Sequence, residues 1–69
     1  MPKIIVNGEE REIPKEMSVM ELLKELGIQF REVGLAVAIN EEVVPKSEYE
    51  RRTVKEGDRV EIVHLVGGG

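Results

Sequence analysis

The chain predicts an α+β roll: a mixed sheet of four to five strands packed on one α-helix, followed by a flexible glycine tail. Three observations carry that expectation. Short β-branched runs broken by turn residues occupy both ends of the sequence, one capped helical stripe lies between them, and the last strand runs directly into Val66-Gly67-Gly68-Gly69. A length of 69 residues allows one small domain. It is placed at residues 1–66, with 67–69 as the tail.

The elements follow in order. Lys3 to Asn7 is a β-branched run closed by Asn7-Gly8, a strong hairpin signal. Glu10 to Ile13 alternates and halts at Pro14, giving a second strand. Ser18 and Glu21 have capping-box spacing, in which the hydroxyl caps the helix and the carboxylate reaches back. Val19, Leu22, Leu23 and Leu26 then form one apolar stripe, and Gly27 supplies a left-handed stop. Leu35 to Asn40 is a third strand, with Leu35, Val37 and Ile39 facing inward. Glu42 to Val44 is a short return strand ended by Pro45. Lys46 to Arg52 is a turn or short helical piece anchored by Tyr49. Glu56-Gly57-Asp58 is a turn, and Arg59 to Leu65 is the final strand. Strand, strand, helix, strand, short strand, strand is the β-grasp, or ubiquitin-like, order.

Composition narrows the function. There is no cysteine for disulfides or thiolate chemistry, and the core must form without staples. A net charge of −4 argues against nucleic acid, whose binders carry a basic stripe. No apolar stretch reaches membrane-spanning length and the N-terminus shows no signal-peptide pattern, so a cytoplasmic protein is expected. Glu9-Glu10 and Glu41-Glu42 lack metal-ligand spacing and read as solvated surface. His64 has no partner motif for catalysis and reads as a surface or interface residue.

Two features remain as candidates for function. If Val60 and Ile62 face the core, Val63 faces away, and the same alternation turns Ala36, Ala38 and Ile5 outward. Ile5, Ala36, Ala38 and Val63, with His64 nearby, would form a shallow apolar patch beside the root of the tail. Two readings of it stand: a docking surface or ordinary scattered aliphatics. The second feature is the tail. Glycine passes through slots too narrow for any β-carbon, and four residues from Val66 to Gly69 span roughly 13 Å when extended. A carboxylate on such a stalk suits delivery into another protein's active site. Three glycines also read as a loose end without a task, but their place after the exit strand favours a working role.

The residues carrying a family resemblance span nearly the whole chain. They are Val6-Asn7-Gly8-Glu9, then Ser18-Val19-Met20-Glu21-Leu22-Leu23, then Val37-Ala38-Ile39-Asn40 with Val44-Pro45. Last comes Glu56-Gly57-Asp58-Arg59-Val60-Glu61-Ile62-Val63, leading to Val66-Gly67-Gly68-Gly69. In that order they resemble the ThiS family of ubiquitin-like sulfur carriers of thiamine biosynthesis. The chain departs from the pattern at Glu41-Glu42, where a glycine turn is usual, and in having three glycines where two suffice.

The resemblance implies a protein cosubstrate, not an enzyme. Gly69 would carry first an acyl-adenylate and then a thiocarboxylate. Gly67 and Gly68 would provide clearance, and Leu65 and Val66 would guide the tail. It implies no bound cofactor, with Mg-ATP used by a ThiF-like (E1-like) adenylating enzyme. Sulfur would come from cysteine, through a cysteine desulfurase persulfide or as sulfide, and pass to a ThiG-like thiazole synthase. The related alternatives are the small subunit of molybdopterin synthase and a tRNA-thiolation carrier. From a different class comes a non-covalent β-grasp interaction module.

Overall fold

The computed structural model describes residues 1–28 and 34–64. Five strands form one sheet: β1 (Lys3–Val6), β2 (Glu9–Glu12), β4 (Leu35–Ile39), β5 (Glu42–Val44) and β7 (Arg59–His64), in the spatial order β2-β1-β7-β4-β5. β1 and β7 are parallel and the other pairs antiparallel. The last described strand therefore occupies the centre of the sheet. Two further strands of two residues each, β3 (Met17–Ser18) and β6 (Thr53–Val54), pair with one another. The sequence does not announce them, because two residues are too few to show a period.

Helix α1 (Val19–Glu25) begins at the predicted cap. Ser18 Oγ accepts from Glu21 N–H at 3.1 Å, and Glu21 Oε1 accepts from Ser18 N–H at 3.0 Å. Leu26 is the C-cap, and Gly27 has φ +77°. Val19, Leu22 and Leu23 join Ile4, Val6, Leu35, Val37, Ile39 and Val60 in one buried cluster. Each fully buried aliphatic side chain contributes about 1.5–3 kcal/mol relative to exposure. Tyr49 is 1% exposed, and burial raises its phenol pKa. It anchors a 3-10 turn (Lys46–Glu48) that lies within the predicted segment.

The two hairpins explain the differences at strand ends. Each has a two-residue loop with positive φ at both positions, the type I′ geometry that matches strand twist. Asn7 and Gly8 have φ 50° and 85°; Asn40 and Glu41 have φ 52° and 70°. The first loop places Val6 opposite Glu9, so β2 begins at Glu9 and ends at Glu12, one residue earlier than expected. Ile13 lies beyond the strand, buried, with its N–H donating to the Pro2 carbonyl at 2.9 Å. The second loop ends β4 at Ile39, so Asn40 belongs to the turn. The predicted end of the final strand, Leu65, lies outside the described residues.

These local geometries give three stability predictions. Ser18→Ala is expected to cost about 1 kcal/mol. The Glu21 carboxyl titrates below its usual 4.5, chiefly because Ser18 N–H donates to it. A lowered folded value means that its contribution is complete above the unfolded value and is lost as pH falls through the folded one. The difference in melting temperature between the wild type and Glu21→Gln should therefore be full at neutral pH and close as the pH falls below 4.5 through the lowered folded value. Glu41 is the one residue of the two loops that is neither Asn nor Gly. Its left-handed backbone costs roughly 1–2 kcal/mol, while glycine gives up about 0.5–1 kcal/mol of chain entropy. Glu41→Gly should raise stability by about 0.5–1 kcal/mol; an unchanged or lower melting temperature would show that the turn is not strained.

Candidate functional site: the exit strand and its outer face

Strand β7 connects the core to the tail, and its alternation decides what each side does. Val60 is fully buried and Ile62 half-buried against the core, while Arg59, Glu61 and Val63 are exposed. On the β4 side, Val63 lies opposite Ala36 and Glu61 opposite Ala38. β5 adds Val43 opposite Ala38. Val43 is 73% exposed and Val63 51%, with Ala36 exposed and Ala38 half-buried. These four residues share the outer face, Val63 and Ala36 near the end of β7 and Ala38 and Val43 level with Glu61 at its middle.

Ile5 does not join them. Parallel pairing sets Ile5 beside Arg59 at the start of β7, with Glu10 on its other side. Arg59 and Glu61 separate it from Val63 along the strand. It lines a shallow concavity with Asn40, Glu41, Gly57 and Arg59 instead. The expected grouping of Ile5 with Ala36, Ala38 and Val63 is corrected accordingly. Alternation assigned Ile5 the right face but could not assign its position along that face. Val43 was missed. The I′ turn at Asn40-Glu41 would have revealed it, since a two-residue loop after Ile39 forces Ala38 opposite Val43.

His64 is paired with Leu35 through the backbone, extending β7 by one residue beyond Val63. The His64 side chain and Leu65, Val66, Gly67, Gly68 and Gly69 lie outside the described residues.

Both edges of β7 are held by asparagine side chains from the two I′ turns. Asn40 Oδ1 accepts from Arg59 N–H at 3.0 Å, and Asn40 Nδ2 donates to Asp58 Oδ1 at 3.1 Å. Asp58 is buried, and its second oxygen accepts from Lys55 N–H at 2.9 Å, closing the turn ahead of the strand. Asn7 Oδ1 accepts from Ile62 N–H at 2.8 Å, and Asn7 Nδ2 donates to Ile62 O at 3.2 Å. From sequence, Asn7 reads as a turn residue and Asn40 as the end of a strand, because their partners on β7 lie far away in the chain.

Among the described residues, no group of three or more His, Cys, Asp or Glu side chains is arranged to hold a metal ion. No described helix is long and apolar enough to cross a membrane. A groove of about 300 Å³ is lined by Val6, Asn7, Glu9, Arg11, Leu26, Ile28 and Ile62. None of those side chains is a nucleophile poised beside a base.

Residues 4–69 match the ThiS family. Over 64 residues the chain is 38% identical to the sulfur carrier protein ThiS of Thermus thermophilus, covering 93% of this chain and 95% of that protein. Against the sulfur carrier protein ThiS of Escherichia coli it is 30% identical over 67 residues, covering 97% and 98%. A thiazole synthase of Paramagnetospirillum magneticum is 49% identical over 67 residues; the match takes in 97% of this chain but only 20% of that protein. The crystal structure of the thiamine biosynthesis protein ThiS from Geobacter metallireducens superposes with a TM-score of 0.81 at 32% identity, covering 97% of this chain and 99% of that one. Strand order and this likeness together bear out the β-grasp expectation. The relatives matched along their whole length are named as carriers, not enzymes. On the match of residues 4–69 and these relatives, the chain belongs to the ThiS family.

Proposed function

We propose that this chain is a sulfur carrier of thiamine biosynthesis, loaded at the carboxylate of Gly69. The observation that carries the reading is the family match, which extends through the glycine tail to residue 69, together with two full-length relatives named as ThiS sulfur carriers. The exit of the central strand toward that tail is consistent with it.

The chemistry follows from the carboxylate. With a pKa of roughly 3.5 it is ionised at neutral pH and a poor electrophile. A carboxylate oxygen attacks the α-phosphorus of Mg-ATP in a ThiF-like adenylating enzyme, and pyrophosphate leaves. The resulting acyl-adenylate has a good leaving group. Sulfide attacks its carbonyl carbon and expels AMP, giving a thiocarboxylate. With a persulfide donor the product is an acyl disulfide, which a thiol cleaves to the same thiocarboxylate. The catalytic groups and the metal ion belong to the partners, and the carrier supplies the acyl terminus on a narrow stalk. A thiazole synthase as sulfur acceptor is supported by the P. magneticum thiazole synthase, which contains a segment similar to this chain. The outer face around Ala36, Ala38, Val43 and Val63 runs from the middle of β7 toward its end and is the surface most suited to guide docking.

Two variants test the terminal chemistry. Gly68→Val should retain the wild-type melting temperature but lose activation in a pyrophosphate-exchange assay, because a β-carbon enters the slot. Removal of Gly69 should abolish sulfur loading with no change in the melt. Normal exchange by Gly68→Val would contradict the narrow-slot argument. A loss of stability matching the loss of loading would make the tail structural.

A further inference from the structure

We propose that Asn7 is a positioning residue for the tail: its carboxamide supplies the last β1-side rung that holds β7 among the described residues. This inference rests on the carrier reading above.

The ladder between β1 and β7 shows why a side chain is needed there. Ile5 N–H donates to Asp58 O at 3.0 Å, and Asn7 N–H donates to Val60 O at 2.9 Å. In a parallel ladder the next rung runs from Ile62 N–H to the main-chain carbonyl of residue 7. Asn7 has φ 50°, however, and begins the turn into β2, so its main chain leaves the ladder. Its side-chain carbonyl takes that place, accepting Ile62 N–H at 2.8 Å, while its amide returns a bond to Ile62 O at 3.2 Å. On the opposite side Ile62 is paired with Val37 of β4. Both main-chain polar groups of Ile62 thus bond to Asn7, a substitute rung at the point where β1 has turned away, and its pairing with Val37 is of the non-hydrogen-bonded kind.

Placement at this end of the strand gives the contact its consequence. A terminal carboxylate must reach an in-line attack geometry, and a fixed base reduces the volume that its stalk explores. Asn40 provides an internal comparison. It has the same turn position, φ 52° and a paired carboxamide, but it grips Arg59 and Asp58 at the start of β7. Both asparagines secure the strand, and only Asn7 does so next to the exit.

The test compares Asn7→Gly with Asn40→Gly, since glycine keeps both turns and removes both carboxamides. Amide exchange is read alongside pyrophosphate exchange with an adenylating enzyme active on a known ThiS carrier. Asn7→Gly should speed exchange at Ile62 by at least about fivefold, the scale of one lost hydrogen bond. It should lower kcat/KM for activation by a comparable factor. Asn40→Gly should affect Arg59 exchange and leave activation unchanged. If Asn7→Gly does not fold, Asn7→Asp, which keeps the acceptor that forms the rung, should keep Ile62 protected and activation near wild type, and loss of activation with Ile62 still protected would overturn the role. Equal losses of activation in the paired variants, or full activation despite rapid Ile62 exchange, would overturn the role of Asn7. Failure of the unmodified chain to be activated would overturn the carrier reading itself.

Discussion

The central place of β7 is the constraint on which the structure depends. A chain of 69 residues has one thin core, and the strand nearest its end lies in the middle of the sheet, not at an edge. β1 holds one side of it in parallel pairing and β4 the other in antiparallel pairing. Val60 contributes to the core, and the adjacent Arg59 and Glu61 face solvent. A terminal segment attached to an edge strand would fray with that strand. Here the strand before the tail is paired on both flanks, with Asn7 holding Ile62 on the β1 side and β4 running along the other.

The same constraint explains the asparagines. Type I′ turns need positive φ, and asparagine tolerates it. At Asn7 and Asn40 the side chain also completes hydrogen bonds that the turning main chain abandons, at opposite ends and on opposite flanks of β7. One residue type thus closes a hairpin and secures the neighbouring strand. Buried Asp58 extends the arrangement to the turn before β7, joining Asn40 to Lys55.

Much of this was legible where the signal is local. Ser18 and Glu21, the Leu22-Leu23-Leu26 stripe and Gly27 marked the helix, and alternation in Leu35 to Ile39 and in Val60 to Ile62 separated core from surface. What escaped depends on register and on distant partners. The two-residue strands at Met17-Ser18 and Thr53-Val54 have no period of their own. Ile5 was assigned the correct face but the wrong neighbours, because only the parallel register places it at Arg59. Val43 looked like a return-strand residue until the Asn40-Glu41 loop fixed its partner. The contact from Asn7 to Ile62 spans 55 positions, beyond any local pattern.

The described core takes in residues of β1, β4, β7 and the helix, and the proposed chemistry asks only for the terminal carboxylate. The most direct test is an intact mass of the chain after incubation with an adenylating enzyme of proven activity, Mg-ATP and a sulfur source. A mass increase equal to one oxygen-to-sulfur exchange, located by fragmentation at Gly69, is the predicted result. An unchanged mass, with a known ThiS carrier converted in parallel, would contradict the carrier assignment and leave a β-grasp module that acts without terminal chemistry.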